Sequence, residues 1–285
     1  MHLRPALVVA ALLVSAALAG CGSEPVELPT RAMSAAVKVG VEQTRTDLMT
    51  RRIQIRFVND SAEPLTVTRA AFSSQRLTKD AVWSGSSTIS PGGVRNLAAE
   101  MPEARCTAGP IGTVTVFFVD ETGAARSTVT PEDRFGSVSK FMDRDCARLT
   151  AERVASVTMS DPVQIAGVGK DARAYLFVDV KPSGRAGTLT LDSLDDTVLL
   201  TSPSRKPWEL HREINGLGPP ETFSLPVIPN RCDPHALAED KVGTLLTLHT
   251  HVVQGTDLSF AIPLSEDQRS DLFDFVSAYC GFATR

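Results

Sequence analysis

Apolar and polar residues alternate with a period of two over much of the chain, which is the pattern of half-buried β-strands. The first instance spans residues 37–41, and two cleaner instances span residues 52–57 and 65–68. Because turn-forming residues at 59–62 separate these two strands, we expect them to pair as a β-hairpin. A longer run of β-forming residues follows at 112–119.

A helical period, with apolar residues at spacings of three and four, replaces the alternation in residues 135–142 and 272–279. Residues 130–133, Thr-Pro-Glu-Asp, predict the start of the first helix, with a capping threonine, a proline at the first helical position and acids in the first turn. Residues 265–268, Ser-Glu-Asp-Gln, form a capping box that predicts the start of the second helix.

The same features occur in the same order in both halves, so the chain contains an internal repeat. In each half a tryptophan precedes an Arg-Cys pair, then a Gly-Thr run and a Glu-Asp pair follow, and another cysteine lies thirteen residues after the aspartate. The tryptophans and cysteines are Trp83, Cys106 and Cys146 in the first copy and Trp208, Cys232 and Cys280 in the second. Residues 174–180 match the strand at 52–59, and residues 188–191 are their expected hairpin partner.

Short strands at this spacing, with turn clusters between them, predict a mainly β protein. We expect two tandem β-sandwich domains, residues 33–149 and 150–285, each closed by a C-terminal α-helix and a disulfide. The pattern resembles tandem immunoglobulin-like or fibronectin-III-like domains of bacterial surface proteins. It departs from antibody domains because each tryptophan precedes both cysteines of its domain and because a terminal helix is added.

The first twenty residues have the pattern of a secretory signal peptide, with Arg4 before an apolar core at residues 6–17 that is too short for a lasting transmembrane helix. The segment ends in Leu-Ala-Gly-Cys at residues 18–21, which resembles the lipobox of bacterial lipoproteins. The resemblance implies that residues 1–20 are removed and that Cys21 carries a diacylglyceryl group. The residues that follow have little apolar surface to bury, which predicts a lipidated N-terminus and tether at residues 21–32. The alternative is an ordinary signal peptide in which Cys21 is incidental.

The chain has five cysteines, an odd number that requires an explanation in an exported protein. Lipidation of Cys21 leaves two cysteines in each repeat, and an oxidising compartment favours disulfides. The predicted pairs are Cys106–Cys146 and Cys232–Cys280. Metal ligation is the alternative, but the sequence has no Cys-x-x-Cys spacing.

The net charge of −4 and the absence of a basic run argue against nucleic acid as a partner and against electrostatic membrane binding. The sequence has neither a Gly-x-Ser-x-Gly elbow nor a glycine-rich phosphate loop. We therefore expect a protein that is not an enzyme and needs no cofactor.

His249 and His251 are the best candidates for metal ligands, because residues two apart on a strand point to the same face. Asp233 and His235 are the further ligands that such a site would recruit. The alternative is a polar outer face of a strand, since the residues between and beside the histidines alternate opposite them toward the core. We favour the outer face.

These observations favour a membrane-anchored extracytoplasmic lipoprotein that acts as a binding or assembly module at the cell envelope. Its expected partners are the cell membrane, through the N-terminal lipid, and an envelope protein or a small ligand. One alternative is an extracytoplasmic metal-binding protein that uses His249 and His251. Another alternative is an envelope hydrolase, which would need a pocket that holds a nucleophile beside a histidine.

Overall fold

The computed structural model describes residues 27–238, 243–252 and 257–282. Over these residues the chain forms two β-sandwiches in succession, each with two antiparallel sheets and a helix at its C-terminal end. The predicted mainly β fold is confirmed. The predicted signal peptide, residues 1–20, and the predicted lipidation site, Cys21, lie outside the described residues.

The first sandwich packs two sheets around one core. Its elements are β1 (Val37–Glu42), α1 (Arg45–Thr50), β2 (Arg52–Asn59), β3 (Leu65–Ser73), β4 (Ala81–Ile89), β5 (Val94–Glu100), β6 (Thr113–Asp120), β7 (Gly123–Val129) and α2 (Ser137–Glu152). The strand orders are β1-β2-β5 and β4-β3-β6-β7. Phe57 from the first sheet and Phe72 and Phe118 from the second are among the fully buried side chains of the core.

The second sandwich has the same construction. Its elements are β8 (Ala155–Ala166), β9 (Arg173–Pro182), β10 (Thr188–Leu194), β11 (Leu200–Thr201), β12 (Trp208–Asn215), β13 (Glu221–Pro229), α3 (Pro234–Ala238), β14 (Leu246–Val252), β15 (Asp257–Ile262) and α4 (Glu266–Cys280). The strand orders are β11-β13-β9-β8 and β12-β10-β14-β15. Leu176, Leu189 and Leu191 lie at its centre.

The two topologies coincide once the short β11 is left out. The sheet β8-β9-β13 then corresponds to β1-β2-β5, and β12-β10-β14-β15 corresponds to β4-β3-β6-β7. Even an irregularity recurs, because β3 and β10 each shift register at one residue, Thr68 and Asp192 respectively. The shared topology shows that the sequence repeat is a repeat of one domain architecture.

The prediction that β2 pairs with β3, and β9 with β10, as hairpins is wrong. The strand β2 pairs with β1 and β5, whereas β3 pairs with β4 and β6. The buried Asn59 fixes the crossing between the sheets, since its side-chain amide donates to the carbonyls of Glu63 and Ile89 at 2.8 and 2.9 Å. Both strands bury an apolar face in the same core, and they do so from opposite sheets.

The first closing helix, α2, begins later than predicted, at Ser137 rather than at residues 130–133. Glu132 still belongs to the sheet, because its amide donates to Val39 and its carbonyl accepts from Val41. The carboxylate of Asp133 then accepts from the amides of Ser137 and Val138 at 2.7 and 3.1 Å, so it caps the helix from outside. The second closing helix, α4, starts with the predicted Ser265–Gln268 capping box.

Both predicted disulfides are present, and each ties a closing helix to the segment that precedes β6 or β14. Cys106 pairs with Cys146 and Cys232 pairs with Cys280, with Cα–Cα distances of 5.4 and 5.3 Å. Sequence separations of 40 and 48 residues correspond, in the chain-entropy model, to about 4 kcal/mol of stabilisation each.

Helix α2 belongs to both cores. Phe141 and Met142 are buried in the first core, whereas Ala147 and Ala151 are buried in the second. The helix runs almost directly into β8, so a shared helix, and not a linker, joins the domains at the predicted boundary near residue 150. Within the described ranges, no helix has both the length and the apolar character needed to span a bilayer.

Residues 27–31 of the predicted tether are docked on β7, and we call them the N-terminal strap. The backbone amide of Arg31 donates to the carbonyl of Arg126, and the amide of Arg126 donates to the carbonyl of Pro29. The guanidinium of Arg31 donates to both carboxylate oxygens of Asp120 at 2.8 Å. From Glu27 onward, where the Glu27 carboxylate pairs with Arg126, the segment predicted as a tether is thus bound to the first domain.

We expect Asp120→Asn to loosen the strap. Hydrogen bonds from the Arg31 guanidinium lower the pKa of Asp120 to about 2, helped by Thr122 and opposed by burial. A depressed folded-state pKa means that the contribution of Asp120 is present above the unfolded value of about 3.9 and is lost as the pH falls toward 2.

At pH 7 the protection factor of the Arg31 amide, measured by hydrogen exchange, should fall about threefold to fivefold in Asp120→Asn, as expected for a part-exposed ion pair. The control is Asp60→Asn, which removes an exposed pair with Lys38 away from the strap and should leave this amide unchanged. Unchanged protection in Asp120→Asn would contradict the role given to this ion pair.

Candidate ligand-binding cleft

A cleft of about 620 Å³ lies between the two domains. Helices α1 and α2 form the wall on the first domain, and β14, β15 and the segment before β14 form the wall on the second. Sites for small molecules are typically about 300–1,000 Å³ in volume. The cleft is therefore large enough for a small ligand.

Helix α1 supplies an apolar part of the first wall. A capping box starts the helix, with Thr44 and Asp47 each accepting a hydrogen bond from the backbone amide of the other. The buried carboxylate of Asp47 also accepts from the side chain of Gln54 on β2 at 2.7 Å, which fixes the helix to the sheet. Leu48 and Met49 consequently line the cleft.

Helix α2 contributes the carboxylate of Asp145, whose side chain is only 2% exposed. Arg51 donates to both of its oxygens at 2.7 and 3.2 Å, Arg148 donates to Oδ1 at 3.0 Å, and the backbone amide of Ala104 donates to Oδ2 at 2.8 Å. Burial by itself raises the pKa of Asp145, but these hydrogen bonds outweigh it and the pKa lies below its ordinary value. Asp145 is therefore ionised at neutral pH.

The two arginines that contact Asp145 are themselves held in place. The guanidinium of Arg51 lies over the ring of Phe141, 5.0 Å from its centroid. Arg148 also donates to Glu152, one turn further along α2, at 2.7 Å. These cations and carboxylates compensate one another within the first-domain wall.

Arg144, the residue before Asp145, has no such compensation. Its guanidinium donates one hydrogen bond, at 3.0 Å to the side-chain carbonyl of Gln43, and it forms no ion pair with any part of the chain that the structure describes. The side chain is half-buried, and this burial lowers the pKa of Arg144. The cleft thus holds a partly desolvated cation that has no counter-ion among the described residues.

The wall on the second domain is mainly apolar. It comprises Leu245, Thr247, Phe260, Ala261 and Pro263, and β15 is the edge strand of its sheet. An apolar cleft with a few convergent polar groups is typical of sites that bind small molecules.

The sequence patterns do not indicate this cleft. The one local indication of the charged cluster was the spacing of Asp145 and Arg148, which lie at i and i+3 close to the predicted helix at 135–142. The partner that completes the cluster, Arg51, lies 94 residues from Asp145 in sequence, and only the tertiary fold brings the two together.

The predicted metal ligands occupy the solvent face of the second domain. His249 and His251 lie on one face of β14, but each pairs with its own aspartate: His249 Nε2 is 2.9 Å from Asp195, and His251 Nδ1 is 2.9 Å from Asp192.

The other two predicted ligands pair locally, since the backbone amide of His235 donates to the carboxylate of Asp233 at 3.0 Å. Among the described residues, no group of three or more potential metal ligands occurs. The structure therefore does not gather the four predicted ligands into one site.

Comparison with known proteins finds no matching family model and no matching curated protein. Solved structures with some likeness include a red sea bream transglutaminase, which is 8% identical with a TM-score of 0.25. The match covers 83% of this chain and 32% of the transglutaminase, so the chain spans about a third of that protein's length.

Two further similar structures are chaperones or contain one. The YadV chaperone is 13% identical with a TM-score of 0.20, covering 75% of this chain and 92% of its own. The CsuC-CsuE chaperone-tip adhesion subunit pre-assembly complex of Acinetobacter baumannii is 9% identical with a TM-score of 0.21, covering 76% and 93%. Similarities at this level carry no argument about function.

Asp145→Asn should lower the free energy of unfolding by about 2–3 kcal/mol at pH 7, because Arg51 and Arg148 lose a buried counter-charge. Asp143→Asn is the matched control on the same helix: its carboxylate is 70% exposed, pairs with Arg76, and should contribute at most about 1 kcal/mol. Urea unfolding followed by circular dichroism measures both changes, and equal effects of the two substitutions would contradict the assignment.

The effect of Asp145→Asn should also depend on pH. Because the folded-state pKa of Asp145 is depressed, its contribution to stability is complete above the unfolded value of about 3.9 and is lost as the pH falls through the folded value. The stability difference between the wild type and Asp145→Asn should therefore shrink below about pH 4. A difference that stays constant down to pH 2 would show that the carboxylate does not act through its charge.

Replacement of both His249 and His251 by alanine should change the free energy of unfolding by about 0.5 kcal/mol or less, as surface substitutions usually do. Zinc or copper at low micromolar concentration should leave the melting temperature unchanged. Thermal unfolding with the metal, and with the metal plus a chelator, measures the effect. A saturable rise that the double variant loses would reveal a metal site.

Proposed function

We propose that this protein is a membrane-anchored, extracytoplasmic binding module that holds a small ligand in the cleft between its two domains. The cleft is the observation that carries the proposal, because it combines a suitable volume, a mainly apolar second-domain wall and a cation that forms no ion pair with the described residues. Binding without catalysis is part of the proposal.

The position of α2 favours a preformed site. The helix contributes to both hydrophobic cores, so the two cleft walls are held by one continuous element. A preorganised site loses less conformational entropy when its ligand binds than a site that must first be assembled. This favours a small ligand over the assembly role that the sequence leaves open.

The proposed location rests on the N-terminal sequence and on the two disulfides, which favour an oxidising compartment. Five residues separate Cys21 from Glu27, where the N-terminal strap begins. A fully extended chain spans at most about 3.5 Å per residue, so lipidated Cys21 would lie within about 20 Å of Glu27. The β7 side of the first domain would then stay close to the membrane surface.

The lipid anchor is tested with Cys21→Ser. We expect this variant to remain unprocessed or to leave the membrane fraction, because the modified thiol is absent. Mass spectrometry of the mature N-terminus and cell fractionation measure the two outcomes. Unchanged acylation and unchanged fractionation would contradict the membrane-anchored part of the proposal.

The binding role is tested by filling the cleft. Ala261, on the edge strand β15, lines the cleft, and Ala261→Phe should occupy ligand space. The matched control is Ala98→Phe, an exposed position on β5, which is also an edge strand. Circular dichroism and melting temperature establish that both variants are folded.

Native mass spectrometry of the protein isolated from membranes should show a small molecule bound to the wild type and to Ala98→Phe. Occupancy should fall about tenfold in Ala261→Phe, the loss expected when an added side chain removes apolar contacts from a ligand. Absence of any bound molecule in the wild type, or equal occupancy in all three proteins, would contradict the proposal.

A further inference from the structure

We infer that the inter-domain cleft binds an amphiphile with one anionic head group, which pairs with Arg144 while its apolar part lies against α1 and β15. The inference rests on the proposed ligand-binding function of the cleft and adds the chemical class of the ligand.

The anionic head follows from how the charges around the cleft wall are paired, because their sum is zero: three arginines lie with three carboxylates. Asp145 and Glu152 are already engaged by Arg51 and Arg148. Glu103, the other carboxylate of the wall, is 61% exposed and lies 3.8 Å from Arg148. Among these charged groups, only Arg144 forms no ion pair with a carboxylate of the described residues.

The geometry of Arg144 leaves its guanidinium available. The group carries five N–H donors, and one of them is used in the hydrogen bond to Gln43. Because the Gln43 carbonyl is uncharged, it orients the guanidinium without neutralising it. A carboxylate or a phosphate takes two guanidinium donors in a bidentate pair, which is the strongest form of this interaction.

The apolar part of the ligand follows from the rest of the lining. Leu48 and Met49 lie on the first-domain wall, and Phe260 and Pro263 lie on the second. A small polar anion would leave these surfaces in contact with water, whereas a hydrocarbon chain or ring would cover them. The cleft therefore matches a molecule that has both parts.

The second domain shows that the fold does not require the polar cluster. When α2 and α4 are aligned at Cys146 and Cys280, the core position Phe141 corresponds to Phe275, and both are buried. The positions of Arg144, Asp145 and Arg148 correspond to Ala278, Tyr279 and Phe282. A closing helix with its disulfide thus forms in the second domain without any of these charges.

The test is isothermal titration calorimetry of the mature acylated protein in nanodiscs of phosphatidylcholine, with empty nanodiscs as the blank. Two probes, octanoate and octyl phosphate, combine an eight-carbon chain with an anionic head group. Octanol has the chain without the charge, and acetate has the charge without the chain. The variants are Arg144→Gln, Ala261→Phe and the control Arg95→Gln, an exposed arginine on β5.

We expect at least one of the two anionic probes to bind about tenfold more tightly than octanol and acetate, and their relative affinities identify the head group. Arg144→Gln should raise the Kd of the anionic probes about tenfold and leave octanol unchanged, since only the charged pair is lost. Arg95→Gln should change neither value.

The outcomes separate the two proposals. Three outcomes would overturn the inference about ligand class. Octanol or acetate could bind as tightly as the anionic probes, no probe could bind, or Arg144→Gln could leave the affinity for the anionic probes unchanged. If Ala261→Phe still abolishes the binding of octanol in such a case, the cleft remains a ligand site and the proposed function stands. If probes bind and Ala261→Phe leaves all of them unaffected, the cleft is not the site and both proposals fail. If no probe binds, the native mass spectrometry of the wild type and Ala261→Phe decides the proposed function.

Discussion

A carboxylate that is removed from water must find cations or hydrogen-bond donors, because the desolvation of an unpaired ion costs several kcal/mol. Asp145 meets this requirement with Arg51 from the end of α1, with Arg148 from its own helix and with the amide of Ala104. The adjacent residue, Cys146, is bonded to the same segment through its disulfide. Two neighbouring residues of α2 thus fix the helix against the first domain. The same contacts fix the position of the later residues of the helix.

The later residues of α2 are part of the second core. Ala147 directly follows the anchored residues, Ala151 lies about one turn further along, and both are buried among second-domain side chains. Domains joined by a flexible linker are expected to move relative to each other, whereas a shared helix transmits its orientation from one core to the other. The inter-domain cleft is therefore a consequence of how Asp145 is paired, since its walls are α1 and α2 on one side and β15 on the other.

The sequence was informative where the signal is local. Alternation located β2 and β9, and the Ser265–Gln268 box located the start of α4, because burial of one strand face and capping of a helix involve neighbouring residues. Pairing of β2 with β3 was mispredicted because a turn cluster does not reveal whether the chain returns to the same sheet. Arg144 could not be recognised for the same kind of reason, because an arginine on a predicted helix becomes unusual only when the tertiary fold half-buries it without a carboxylate partner among the described residues.

The difference between α2 and α4 shows how two copies of one domain become a single unit with a site. Helix α4 ends directly after its cysteine, where Gly281 adopts the left-handed conformation that stops helices. Helix α2 continues for six residues after Cys146, and small residues at 147 and 151 let it approach the second sheet closely. Without that extension the first sandwich would end as the second does, and α2 would contribute no residue to the second core. The extension thus joins the two domains, while the cleft residues Phe141, Arg144 and Asp145 lie before it on the same helix.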